Sequence, residues 1–341
     1  MATSSNRGSA LLSVLWMSAA LAAIALALAA SIRTETARAS TNSDGLRAWY
    51  LASGSVERGI QWMMWGPGYR YDDGAPRYWD NNTPRMYMTY PSGEAVVEMI
   101  PEMSKFNINT VGEGELVRLV STLTENPQQA QAVAAGILAW RGSGGQPPAL
   151  NFAPGQTFRP RGASFEEIEE LLLVPGVTPE LYYGNYVADA QGRLYPRGGL
   201  RDSLSVWGSS GPFDLNTASP AVLETMGVPG AAIPALLARR AEKPFRTLSE
   251  AADFGVTPGR FMLGGNFIWT LRATARLRSP DGSSSQTVRS ASAVVKLLDR
   301  ARYFEEPVHV LRYYDDAWSQ FSLTPPAIPS NMIPRPGAVV H

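Results

Sequence analysis

Hydrophobic positions along the chain follow three patterns, and each predicts a different element. The first pattern is continuous. From Ser9 to Ile32 no residue is charged, and Leu11, Leu12, Val14, Leu15, Trp16 and Met17 lead into a run of Ala, Leu and Ile. As helix these 24 residues span about 36 Å, more than the roughly 30 Å of a bilayer's hydrocarbon core. The preceding leader is short and polar, ends in Arg7-Gly8, and no acidic residue comes before Glu35. Beyond the apolar run the pattern turns amphipathic. Leu46, Trp49, Tyr50, Ser53, Val56, Ile60 and Met63 recur at helical spacing, and Ser31 to Ser53 holds no proline, which predicts one long helix with that face buried.

Three readings of this segment remain open on the residues alone. A secretory signal peptide could be cut near Ala25-Leu26-Ala27 or Leu28-Ala29-Ala30, although the apolar run exceeds the usual 7–15 residues. A plain anchor accounts for the length but not for the sharp Arg-Gly boundary. A prepilin-like signal would be cut after Gly8 on the cytoplasmic side, leaving the apolar stretch as half of a long helix. Arg7 fits the cytoplasmic side under the positive-inside rule.

The second pattern has period two. Glu94–Ile100, Phe267–Arg276 and Thr287–Lys296 read as strands, with Asp281-Gly282 as a turn between the last two, and Val308–Tyr314 reads as an edge strand.

The third pattern is an internal repeat between the strands. Phe106-Asn107-Ile108-Asn109-Thr110 recurs as Phe213-Asp214-Leu215-Asn216-Thr217. Each copy leads into a helix, Glu113 to Leu123 and Ala221 to Met226. Thr217 or Ser219 can cap the second, with Pro220 in its first turn. An Ala-rich helix ending in arginine follows in each copy, Ala130 to Trp140-Arg141 and Ile233 to Arg239-Arg240. Phe165 to Leu171 and Phe245 to Ala251 each predict a Phe, a polar spacer and a further helix. Both copies close on the same turn, Gly176-Val177-Thr178-Pro179 and Gly255-Val256-Thr257-Pro258, where the glycine ends one helix and Thr-Pro starts the next. The expectation is an α+β protein. Its long N-terminal helix lies on a small antiparallel sheet, and two SAM-like or helix-hairpin-helix-like α modules are inserted. The first module is expanded by a Gly/Pro-rich loop, Gly142 to Gly162.

Composition narrows the chemistry. The 341 residues carry no net charge and no cysteine, with two histidines, His309 and His341. A balanced charge offers no global field for nucleic acid. Lack of cysteine excludes disulfides, thiolate metal sites and a cysteine nucleophile. Asp72-Asp73 and Asp315-Asp316 sit in turn-like sequence, and Glu166, Glu167, Glu169 and Glu170 read as a solvated helix face, so no set of nucleophile and base points to an enzyme. Helix-hairpin-helix modules suggest a membrane-tethered DNA-binding protein of a competence-like system as an alternative. The hairpin Gly227-Val228-Pro229-Gly230, however, loses one amide to Pro229, has Glu224 beside it and has no flanking lysine. The aromatic residues Trp62, Trp65, Tyr69, Tyr71, Tyr78, Trp79, Tyr87 and Tyr90 form a candidate protein interface, with Trp79 and Tyr87 the residues singled out.

Together these motifs resemble the minor pseudopilin K (general secretion pathway protein K) family of type II secretion systems. Arg7-Gly8 followed by Ala10 to Trp16 resembles the family's processed N-terminus. Asn107 to Thr110, Leu138 to Arg141, Phe165 to Pro179 and Leu215 to Pro220 resemble its modules. The resemblance implies cleavage after Gly8 by prepilin peptidase, leaving Ser9 as an N-methylated N-terminus. It also implies membrane contact by Leu11, Leu12, Ser13, Val14, Leu15 and Trp16, a single pass through the bacterial inner membrane, and a C-terminal domain in the periplasm. The implied partners are minor pseudopilins I and J, with no nucleic acid. Module signatures are Asn107, Asn109, Thr110, Trp140, Arg141, Phe165, Asn216, Thr217, Pro220 and Phe245. The implied organisation is a leader at 1–8, the membrane half of the helix at 9–32, and the rest of the helix with the first part of the α+β domain at 33–105. Modules follow at 106–210 and 211–262, returning strands at 263–314 and a flexible tail at 315–341.

Two positions depart from common patterns. Most pilin-like proteins have glutamate at the fifth mature position, where it pairs with a neighbour's terminal amine; here it is Ser13. A membrane carboxylate costs roughly 2.5–3.5 kcal/mol and is kept only with a partner, and a tip subunit has none above it. The family resembled also lacks this glutamate, so Ser13 points to the tip. Calcium is possible in the family, but its acidic run after Trp-Arg is replaced here by Gly142-Ser143-Gly144-Gly145, so no cofactor or metal is expected.

Overall fold

The computed structural model describes residues 7–74, 76–142, 160–188, 192, 194–265, 267–279, 282–298 and 307–315. Helix α1 spans Arg7–Trp65, 59 residues, about 88 Å at 1.5 Å per residue. Strands β1 (Arg85–Tyr90) and β2 (Gly93–Pro101) follow. The first repeat contains β3 (Phe106–Asn107), α2 (Glu113–Thr124), α3 (Pro127–Trp140), α4 (Pro179–Tyr183), β4 (Gly184–Ala188), β5 (Leu194–Gly198) and β6 (Leu204–Ser205). The second contains β7 (Phe213–Asp214), α5 (Pro220–Thr225), α6 (Ile233–Glu242) and β8 (Phe261–Met262). Strands β9 (Ile268–Arg278), β10 (Ser284–Leu297) and β11 (Val308–Tyr314) complete the fold.

The sheet is antiparallel with order β1-β2-β9-β10-β11. β2 and β9 are neighbours, Pro101 facing Trp269, so both repeats are inserted between two adjacent strands. The fold is therefore α+β and pilin-like: one long helix lies across a small antiparallel sheet, with helical modules emerging from one end of it. The turn between β9 and β10 closes through Gly282, whose amide donates to the Ser279 carbonyl; Asp281 lies outside the described residues. The tail at 316–341 and the loop at 143–159 also lie outside them.

The face by which α1 meets the sheet differs from the one that periodicity predicts. Val56, Ile60 and Met63 are buried, but Leu46 and Tyr50 are 60% and 67% exposed. A stripe of small residues faces the sheet instead, comprising Gly45, Ala48, Ala52, Ser55 and Gly59. The reason is distance. A Cβ on Gly59 would stand 3.1 Å from Leu271 Cδ2 and 3.3 Å from Val97 Cγ1, so helix and sheet approach too closely there for large side chains. Beneath the stripe, Val97, Met99, Leu271, Ala273, Ala293 and Val295 form a core closed at one end by Trp79 edge-on to Trp269, 5.1 Å between ring centres.

Three expectations for the repeats are corrected. Phe165–Leu171 and Phe245–Ala251 form not α-helices but 3₁₀ turns, at Ile168–Leu173 and Leu248–Phe254. Glu170 and Glu250 fold back onto the backbone amides that open these turns, a local bonding pattern that tightens the coil. Thr178 caps α4 as expected, accepting from Leu181 N–H, but Thr257-Pro258 leads into β8 and starts no helix. The hairpin β4–β5 and strand β1 carry no signal used in the sequence reading.

Candidate functional site

The features that bear on function are the exposed half of α1, the two repeats and the cleft between repeats and sheet. Every residue from Ala10 to Ser43 is exposed, Leu11 at 77% and Trp16 at 71%, although this is the most apolar part of the chain. Residues Leu12, Ser13, Val14 and Leu15 share that exposure. The helix is long and apolar enough to cross a membrane. Thr34, Thr36 and Thr41 return their hydroxyls to the carbonyls of Ala30, Ile32 and Ala37, which lets polar residues ride in the helix at the edge of the apolar run. Gly8 and Ser9 lie in the first turns of α1.

The repeat signatures are internal braces, and the two copies use them alike. Asn109 Nδ2 donates to the Phe165 carbonyl at 3.0 Å while its Oδ1 accepts from Phe165 N–H at 2.7 Å. Asn216 holds Phe245 in the same way, at 3.0 and 2.9 Å. Arg141 donates to the carbonyls of Ile108 and Val111, both at 2.7 Å, and Arg240 donates to the matching carbonyl of Leu215 at 2.8 Å. Trp140 stacks on Phe165 and donates to Glu170; in the second copy Arg239 lies over Phe245 and pairs with Glu250. Each repeat opens with a short strand paired in parallel to a strand at its own end, β3 with β6 and β7 with β8. Phe106 and Phe213, at the two openings, meet edge-on at 4.6 Å. Thr110 joins Ser210, and Asn107 accepts from Asn109 N–H. Ser219, not Thr217, caps α5, accepting from Val222 N–H with Pro220 in the first turn. Thr217 donates instead to Asp214 Oδ2 at 2.5 Å.

Asp214 ties the second repeat to its exit towards β9, accepting from Gly264 N–H at 2.8 Å. Burial pushes its carboxyl up to about 6, against the bonds from Thr217 and Gly264 and the charge of Arg240. Burial likewise pulls the Arg240 guanidinium down to about 10.

A cleft of about 1120 Å³ separates the sheet from the repeats. Its charged floor is internally paired. Arg272 and Glu98 face each other across β2 and β9, 2.8 Å apart, and Arg272 also reaches Asp202 at 3.6 Å. Lys105 pairs with Glu102 at 2.9 Å. Burial would raise the Glu102 carboxyl, but Lys105 and the hydroxyls of Ser205 and Thr270 outweigh it and hold it below its ordinary value. Arg312 pairs with Glu167 at the rim. Sequence reasoning missed this network. Its signal was present: opposite charges, Glu98 and Arg272, stand inside two apolar segments read as strands.

The candidate aromatic interface divides in two. Trp79 is 1% exposed and Tyr87 9%, so these two are core and not surface, which corrects the expectation for them. Tyr69 and Tyr71 are exposed, and Trp65, Tyr69 and Tyr78 meet one another edge-on or tilted, ring centres 5.1 to 6.5 Å apart, where α1 ends. In the hairpin Gly227–Gly230, the amides of Gly227 and Val228 return to the carbonyls of Glu224 and Leu223, and the Val228 side chain is buried. Those two donors are therefore spent inside the module. Among the described residues no three His, Asp or Glu side chains gather as a ligand group, and Ser143 to Gly145, where the calcium question arose, lie outside those residues.

No protein-family model matches the sequence, and no curated protein matches it. Among solved structures, a chain in the GspK-GspI-GspJ complex from the enterotoxigenic Escherichia coli type 2 secretion system is similar to this chain with a TM-score of 0.47 and 13% identity, over 83% of this chain and 100% of that one.

Proposed function

We propose that this chain is a minor pseudopilin at the tip of a type II secretion pseudopilus, where it nucleates or caps assembly and supports protein secretion. The observation that carries this reading is the continuity of α1. A single helix begins at Arg7-Gly8, runs exposed and apolar through a membrane's thickness, and then packs without interruption onto the sheet. A secretory signal peptide has no need of that continuity, because removing it would cut the helix in the middle. Cleavage after Gly8 preserves it and leaves Ser9 to enter a bundle of like helices. Ser13 in place of a membrane carboxylate suits a subunit with neighbours below and none above. The partners in this reading are minor pseudopilins I and J, with prepilin peptidase as the processing enzyme and the inner membrane as the site of assembly. The repeats serve as a braced protein-facing module and not as a nucleic-acid reader or an enzyme, since their signature residues are consumed in internal bonds.

The test is processing. In cells that supply prepilin peptidase, the chain is expected to lose its first eight residues and to show a methylated Ser9 by mass spectrometry. Gly8→Val is expected to retain them. Identical N-termini in the two proteins, or cleavage near Ala27 or Ala30, would overturn the reading.

A further inference from the structure

The floor of the cleft between sheet and repeats is paired, but one wall is not. That wall stands where the 3₁₀ turn Ile168–Leu173 and helix α4 of the first repeat meet the end of β11. Two arginines stand there, and each is engaged. Arg312 feels the charges of both Glu167 and Glu169 but hydrogen-bonds Glu167, and the Arg201 guanidinium lies over the Tyr183 ring, 5.2 Å from its centre. Glu169 lines the cleft beside them, with the Tyr314 hydroxyl against its carboxylate. Its Oε2 is buried, and among the described residues nothing donates to that oxygen. Tyr182 lines the same cleft with its side chain 2% exposed, and its hydroxyl also makes no hydrogen bond among those residues.

Buried polar groups are nearly always paired, so two orphans on one wall of one cleft call for an explanation. Both can accept: a carboxylate oxygen does nothing else, and a phenol oxygen accepts as well as donates. Burial raises the Tyr182 and Tyr314 phenols above their ordinary value, and the Glu169 charge adds to it, against the opposing charges of Arg201 on the first and Arg312 on the second. A group that donates to two acceptors and brings the charge that suits Glu169 is an ammonium or a guanidinium. Size indicates what carries it. The cleft, at about 1120 Å³, exceeds the roughly 300–1,000 Å³ of pockets that enclose small ligands. Leu311 and Tyr183, which also line it, are 40% and 42% exposed and add apolar shoulders. A lone amine leaves that volume and those shoulders unused, whereas a polypeptide segment occupies both.

We propose that this wall of the cleft docks a lysine or arginine of a partner polypeptide, whose cation donates to Glu169 Oε2 and to the Tyr182 hydroxyl while its apolar neighbours rest on Leu311 and Tyr183. Docking of this kind is independent of processing at Gly8.

The test uses the full-length protein in detergent and pools of fluorescent, acetylated and amidated hexapeptides. Each pool is fixed at one position as lysine, arginine, norleucine or glutamate and mixed at the others, and binding is read by fluorescence anisotropy. The lysine and arginine pools are expected to bind about tenfold more tightly than the norleucine pool, the size of one charge-assisted hydrogen bond. Glu169→Gln is expected to abolish that difference. Tyr182→Phe, which keeps the ring and deletes only the hydroxyl, is expected to reduce it severalfold, and it decides the matter alone if Glu169→Gln fails to fold. Glu113→Gln, at an exposed position away from the cleft, is expected to leave the difference as it is. No preference for the basic pools, or the same preference in the parent protein and in Tyr182→Phe and Glu169→Gln, would overturn the proposal. So would competition by n-butylammonium at the concentrations at which the peptides bind, which makes the site one for small cations. Failure here leaves the processing of α1 untouched.

Discussion

Asn216 grips the backbone of Phe245 from both sides, donating to its carbonyl at 3.0 Å and accepting from its amide at 2.9 Å, with all four groups buried in the second repeat. One side chain thus satisfies two main-chain groups 29 residues away, next to a Phe245 ring that is buried in the core. Asn216→Ala strands both groups. At about 1–3 kcal/mol per unsatisfied buried group, the loss is expected to reach several kcal/mol in urea unfolding. Asn109→Ala removes the same clamp from a half-buried position and is expected to cost less. Equal and negligible losses would show that water replaces the clamp.

Asp214 gives stability a pH dependence of known sign. Its carboxyl is raised from an ordinary 3.8 to about 6 in the folded protein. The folded state therefore holds this proton more tightly than the unfolded chain does. The stability it contributes is full below pH 3.8 and is lost as pH rises through about 6. The shift corresponds to about 3 kcal/mol at roughly 1.4 kcal/mol per pH unit. Asp214→Asn is expected to flatten the slope of the urea midpoint between pH 4 and 6.5 relative to the parent protein; an unchanged slope counts against this assignment.

The small-residue seam predicts a steric limit on α1. Gly59→Leu places atoms where Leu271, Val97 and Met86 already stand within 3.4 Å of the Cβ position. Overpacking of this kind costs about 1–3 kcal/mol. Gly54→Leu, on the same helix with nothing within 4 Å, is expected to be close to neutral. Thermal unfolding of the two variants side by side checks the contrast.

The aromatic cluster separates folding from assembly. Trp79→Ala empties a core position and is expected to cost about 3–5 kcal/mol. Tyr69→Ala, on the surface, is expected to change stability by less than about 0.5 kcal/mol. Within the proposed function, Tyr69→Ala is expected to weaken co-purification with minor pseudopilins I and J. Undiminished co-purification would remove Tyr69 from that interface.

Much of this architecture was readable because it is written in short-range patterns. The apolar run after Gly8, the alternation in β9 and β10, and the duplicated Phe-x-x-Asn-Thr motif each report a local geometry with a fixed period. The cap at Thr178 could be placed from residue type alone, whereas for α5 residue type offered both Thr217 and Ser219 and the structure selects Ser219. Misreadings arose where local preference and packing disagree. Phe165 to Leu171 has helical spacing, yet Glu170 binds the amides that start the turn and holds it as 3₁₀. Leu46 and Tyr50 have the right period for the core, but α1 meets the sheet through Ala48, Ala52 and Gly59.

By itself the sequence determined the long N-terminal helix, its passage from an apolar to an amphipathic half, the strands β2, β9, β10 and β11 on either side of the modules, and the duplication of the helical unit. Periodicity, capping and turn chemistry act over a few residues and need no distant partner. Only the tertiary structure decided which face of α1 is buried, that Trp79 is core, and that Glu98, Arg272 and Asp202 form one network. It also decided that Asn109 and Asn216 are braces and not surface contacts. Those outcomes depend on how closely segments more than a hundred residues apart can approach, as β2 and β9 do, and that distance is set by the packing of whole surfaces.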